Sequence, residues 1–140
     1  MLLLHFFSKG QDLIFRISQA GTSYKSEKSG IFKEAELRND ETIITMQDKV
    51  VVVNSENNQK FQLLKLEGQN NNIKHLYTQI WKGTDRNNNP VQFKFTVNVA
   101  SKEAMVEVKY PDNITYYFGN YYYGNLKAEE NKERSAAKAF

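Results

Sequence analysis

Hydrophobic and polar positions alternate with a two-residue period along much of this chain, most cleanly between residues 91 and 110. Val91, Phe93, Phe95, Val97 and Val99 fall on one side, and Gln92, Lys94, Thr96 and Asn98 on the other. That is the pattern of a strand with one wet face. After the turn-like residues 100–103 the alternation resumes, with Val106, Val108 and Tyr110 set against Glu107 and Lys109. The stretch predicts a β-hairpin.

The same reading extends in both directions. Leu13, Phe15 and Ile17 alternate with Ile14, Arg16 and Ser18 and predict a strand ended by Gln19, Ala20, Gly21 and Thr22. Residues 31–37 fit a strand better than one amphipathic helical passage. Residues 42–46 and 49–54 are β-branched runs separated by Gln47 and Asp48, which predicts a tight hairpin. Val50, Val51, Val52 and Val53 are apolar on both faces, as in a central, covered strand. Residues 60–67 form the next strand, with a change of phase at Leu63 and Leu64 that predicts a bulge. Residues 68–72 read as a loop and 73–82 as a strand carrying Trp81. The loop 83–90, the hairpin, a turn at Pro111, Asp112 and Asn113, and a last strand over 114–118 complete the series. The fold expected is all-β: an antiparallel meander of about eight strands forming a barrel or a two-sheet sandwich.

The two ends break this rhythm. Residues 1–10 carry the run Leu2, Leu3, Leu4, His5, Phe6, Phe7, then the small residues Ser8 and Gly10. They read either as a truncated signal peptide cleaved before Gln11 or as a first core strand, and the absence of alternation favours the leader. Residues 11–125 are expected to be a single β domain, and 126–140 a charged C-terminal tail, helical or disordered.

Composition narrows the chemistry. Among 140 residues, 40% are hydrophobic and 13% aromatic, which suits a packed core, and the formal charge of +3 comes from basic and acidic residues that are interspersed. Such mixing gives no focused field for a phosphate backbone, so no nucleic-acid partner is expected. The absence of cysteine excludes disulfides, thiol catalysis and cysteine-ligated metals. No run approaches the ~20 apolar residues of a transmembrane helix, and neither a metal nor a cofactor is expected.

Three patterns could carry chemistry, and each has a plainer account. Asp85, Asn87 and Asn89 place oxygens at alternate positions as a calcium loop does, but Pro90 stands where that loop needs glycine and Thr96 where it needs glutamate. A self-bonded turn explains them better. His75, beside Lys74, has no nucleophile motif around it and reads as a surface histidine on a strand. Glu34 and Glu36 share a face without an aromatic platform and read as a solvated acidic face rather than an acid–base pair.

One cluster points to binding: Tyr116, Tyr117, Phe118, Tyr121, Tyr122 and Tyr123, with Asn120 and Asn125 nearby. Tyrosine faces stack on sugar rings or bases and asparagine amides reach hydroxyls, which suits a carbohydrate or peptide surface, although alternate tyrosines of a last strand also pack on a core.

The succession of residues 42–66, then 85–118 with its aspartate-led turn and its aromatic ending, resembles a group of small, uncharacterised exported β proteins of Gram-negative bacteria. The resemblance implies an envelope, periplasmic or secreted location and no known activity. The chain is also near the size of lipocalin-like barrels, but it has no glycine-x-tryptophan by its first strand. The function expected is therefore a non-enzymatic, exported binding domain with a tyrosine-rich contact surface, its partner a protein or glycan. The alternative is a lipocalin-like barrel carrying a small apolar ligand in a cavity lined by Phe93, Phe95 and Val97.

Overall fold

The computed structural model describes residues 12–55 and 58–124. The expected leader over 1–10, the tail over 126–140 and Asn125 lie outside the described residues. All the described regular structure is β: β1 Asp12–Tyr24, β2 Arg38–Asn39, β3 Ile43–Gln47, β4 Val50–Asn54, β5 Gln59–Asn70, β6 Leu76–Thr84, β7 Pro90–Asn98, β8 Glu103–Lys109 and β9 Asn113–Gly124.

From β3 to β9 each strand pairs antiparallel with the next. β1 pairs with β3 on one side and with β9 on the other, so eight strands close into a barrel with β2 as an extra strand on β1. Closure decides between the two expected architectures, because an open sandwich would leave β1 and β9 as edges.

The alternation read from the sequence becomes an inside and an outside. Leu13, Phe15 and Ile17 of β1, Ile44 and Met46 of β3, Val51 and Val53 of β4, and Phe61 and Leu63 of β5 all join one core. So do Trp81, Val91, Phe93, Phe95 and Val97, and Ala104, Val106 and Val108. Aromatic rings fill the middle. Phe93 stacks on Phe95 at 5.7 Å, Phe15 on Phe95 at 5.8 Å, and Phe61 meets Phe93 edge-on at 5.0 Å. Each such ring contributes roughly 1.5–3 kcal/mol by leaving water.

Bulges and glycines bend the sheet into a tube. The β1–β9 register shifts between Ile17 and Gln19, and Gly119 pairs with Ile17 at that point. The β5–β6 register shifts between Leu63 and Lys65, and Gly83 pairs with Leu63. A Cβ on Gly119 would stand 1.9 Å from the Arg16 carbonyl oxygen, and one on Gly83 2.5 Å from that of Gln62. The neighbouring strand passes too close for any side chain there. The bulge expected at Leu63 and Leu64 is present, and Leu64 turns outward with 56% of its surface exposed.

Several expected boundaries are corrected. β1 continues through Gln19, Ala20, Gly21 and Thr22, because β9 pairs with it along that whole length. Residues 31–37 form no regular strand; Phe32 makes an isolated bridge to Lys25, and pairing resumes at β2. β5 runs through Gly68 to Asn70 where a loop was expected, held by pairing to Thr78, Gln79 and Ile80. β6 begins at Leu76, and the residues before it form a turn in which His75 has φ of 66°. β9 continues past Phe118 to Gly124, since its second half goes on pairing with β1, from Gly119 opposite Ile17 to Gly124 opposite Asp12.

The turns follow their side chains. Asp48 and Lys49 both have positive φ, the two-residue turn whose twist suits a hairpin. Asn98 Oδ1 accepts from the backbone N–H groups of Ala100 and Ser101, each at 3.0 Å, and sets the turn into β8.

Candidate functional site

The tyrosine-rich strand is divided by its own pleat. Tyr117, Tyr121 and Tyr123 point inward and pack on the core, with Tyr121 only 4% exposed and its ring meeting that of Tyr123 edge-on at 6.2 Å. Tyr116, Phe118, Asn120 and Tyr122 occupy the alternate, outward positions. The aromatic cluster is therefore two structures: a lining of the barrel and a stripe on its outer wall.

Burial raises the pKa of the inward hydroxyls. Tyr117 is pushed up by burial and then by the charge of Asp40, Tyr121 by burial, and Tyr123 by burial and then by Tyr121. Tyr110, the inward residue beyond the end of β8, is pushed up to about 12 by burial and by its hydrogen bond to Asp85, 3.1 Å away.

On the outer wall Tyr116 pairs with Glu107 and Phe118 with Met105, all partly buried. Tyr116 has its pKa raised by burial and then by Glu107. Glu107 Oε2 lies 3.8 Å from Lys94 Nζ and has no hydrogen-bond partner among the described residues. The Arg16 guanidinium covers the Tyr122 ring at 5.6 Å while its Nε donates to the Tyr122 hydroxyl at 3.3 Å. Asn120 Nδ2 donates to the Lys102 carbonyl at 3.3 Å. Among the described residues no cation is stacked over the rings of Tyr116 and Phe118, which stand beside Met105.

The residues expected to line an apolar cavity are core. Phe93 and Phe95 have no exposed surface and Val97 has 1%. The structure instead carries a cleft of about 1030 Å³ between the segment that leads from β2 into β3 and the end of β4, lined among the described residues by Ile17, Ser18, Asn39, Asp40, Glu41, Thr42 and Ser55. No pattern in the sequence marks it, because its walls come from segments far apart in the chain. Asp40 is held in place there. Its Oδ1 accepts from the backbone N–H of Thr42 at 2.7 Å and from the Thr42 hydroxyl, and its own N–H donates to the Ser18 carbonyl at 2.9 Å. A shallower cleft of about 310 Å³ runs between Glu67, Lys82, Pro90, Gln92, Lys109, Tyr110 and Pro111.

Asp85, the head of the calcium-like pattern, is committed to its own turn. Its Oδ1 accepts from the N–H groups of Asn87 and Asn89, both at 2.9 Å, and its Oδ2 from Asn89 Nδ2 and the Tyr110 hydroxyl, both at 3.1 Å. Desolvation acts to raise its pKa, and these hydrogen bonds outweigh it and hold the carboxyl below its ordinary value. Among the described residues no three His, Cys, Asp or Glu side chains gather as metal ligands would. His75, Glu34 and Glu36 are exposed. Among the described residues no helix is long and apolar enough to cross a membrane.

Compared with protein-family models, with curated proteins and with solved structures, the chain finds no significant match in any of the three.

Proposed function

We propose that this chain is a non-enzymatic binding domain that holds its partner on the outer wall of β8 and β9, centred on Tyr116 and Phe118. One observation carries the reading: two partly buried aromatic side chains and Met105 stand together on the solvent side of a barrel whose interior is already filled by Phe15, Phe61, Phe93 and Phe95. Rings without a structural task in the core are suited to stacking on a partner. Asn120 and the Thr78–Thr96 hydroxyl pair, on neighbouring outward positions, supply the polar contacts that a glycan or an extended peptide needs. The carrier alternative has no observation in its favour, since Phe93, Phe95 and Val97 pack against one another and line neither cleft.

The test is a titration of the isotope-labelled protein with a panel of soluble oligosaccharides, followed through its backbone amide signals. Shifts should gather on Met105, Tyr116 and Phe118, and Tyr116→Ala with Phe118→Ala should weaken binding about tenfold or more, as loss of a stacked ring does. Binding that the double variant leaves intact overturns the proposal.

We also propose export, supported by the apolar run of residues 2–7 with the small residues Ser8 and Gly10 after it, and by the resemblance to exported β proteins. N-terminal sequencing of protein from its native host decides it. A chain beginning at Gln11 supports a leader, and an intact Met1 in the cytosol refutes one.

A further inference from the structure

The segment 33–42 runs beside β1 with one side bonded and one side open. Lys33 donates to the Tyr24 carbonyl at 3.0 Å and Asp40 to the Ser18 carbonyl at 2.9 Å, while Ile17 donates to the Thr42 carbonyl at 2.9 Å. Between these contacts β2 pairs Asn39 with Gln19 and Arg38 with Ala20. Backbone groups of successive residues in a strand point to opposite sides. Since Asp40 donates toward β1, the N–H and C=O of Asn39 point away from it, and Asn39 and Glu41 line the 1030 Å³ cleft together with Ile17 and Ser18 of β1. The far wall at Ser55 belongs to the end of β4, which has left this segment after pairing Asn54 with Ile43. Further along, β3 pairs with both β1 and β4, whereas here β2 pairs with β1 alone among the described strands.

We infer that this cleft is a second binding site, one that takes an extended basic peptide as an added strand alongside β2. An edge with an outward N–H and C=O supplies main-chain hydrogen bonds to such a ligand. Charge selects its side chains. Among the described residues that line the cleft, Asp40 and Glu41 are the charged ones, and the other polar side chains are hydroxyls and one amide. Asp40 cannot turn away, because Thr42 holds its carboxylate from two positions. A lysine or arginine of the peptide would meet a fixed negative charge there, with the Ser18 hydroxyl as a further acceptor. The site is separate from the outer wall of β8 and β9 and does not depend on the function proposed for that wall.

The experiment uses a short synthetic peptide alternating lysine with threonine and, as its control, the same peptide with alternate backbone nitrogens methylated. Methylation keeps the charge and removes the strand hydrogen bonds. The unmodified peptide should bind, shift the amide signals of Asn39 and Glu41, and slow exchange of the Asn39 amide. The methylated peptide should bind about tenfold more weakly, the expected effect of losing one or two main-chain bonds. Two variants report on the protein side. Asn39→Pro removes the outward donor without breaking a bond to β1, and Glu41→Lys reverses an exposed charge; each should cost about tenfold in affinity. Equal binding of the two peptides, failure of the unmodified peptide to bind, or shifts confined to Tyr116 and Phe118 would each overturn the inference.

Discussion

Gly119 shows how little freedom a single position can have. Any side chain there would collide with the Arg16 carbonyl, which stands 1.9 Å from the place of a Cβ and belongs to the backbone of the facing strand. Gly119→Ala should therefore cost about 3 kcal/mol in urea denaturation, the upper part of the usual range for point changes. Gly68→Ala is the control. The nearest atom to a Cβ at that position is Ile80 Cδ1 at 3.9 Å, so stability should stay within about 0.5 kcal/mol of the parent. A second residue-scale effect lies in the buried hydroxyls. Folding raises the pKa of Tyr110 from 10.0 to about 12, so its contribution to stability is complete below pH 10 and is lost as pH rises toward 12. Tyr116, Tyr117, Tyr121 and Tyr123 shift in the same direction. Stability measured across alkaline pH should fall in that window together with the rise of phenolate absorbance, and Tyr110→Phe should shrink the fall.

At the scale of elements, turns and bulges decide register. Asp48 and Lys49 have φ of 48° and 64°, a conformation that glycine adopts without the side-chain penalty. Lys49 is exposed, and the bonds at this turn use its carbonyl, which accepts from Leu63 N–H and Gln62 Nε2. Lys49→Gly keeps that carbonyl, so it should raise stability by about 0.5–1 kcal/mol in the same denaturation assay. Elements also differ in how far the sequence alone marks them. The hairpins 43–54 and 90–109 were legible because their alternation and turn residues are local. The extensions of β1, β5 and β9 were not, since Gly21, Gly68 and Gly119 look like breaks until a partner strand is seen alongside.

At the scale of the whole molecule, the seam between β1 and β9 sets the behaviour. Arg16 and Tyr122, in contact across it, are 106 positions apart in the chain. Loop-closure entropy must be overcome before that pairing contributes, so folding should take milliseconds to seconds rather than microseconds. Stopped-flow refolding measures it directly, and a microsecond phase that carries the full amplitude would refute the expectation. The same seam accounts for the filled interior. Closing eight strands around Phe15, Phe61, Phe93 and Phe95 leaves the aromatic rings packed on each other, and surface features then carry the binding proposed for the protein.

Read alone, the chain determined its class, its meander order and the inward or outward sense of most strand residues, because a period of two and the chemistry of turns act between near neighbours. Tertiary structure decided barrel against sandwich, the division of the tyrosines between core and outer wall, and the cleft between β2 and the end of β4. Each of these depends on which distant strand lies alongside, and pairing across a hundred residues leaves no local trace in the order of amino acids.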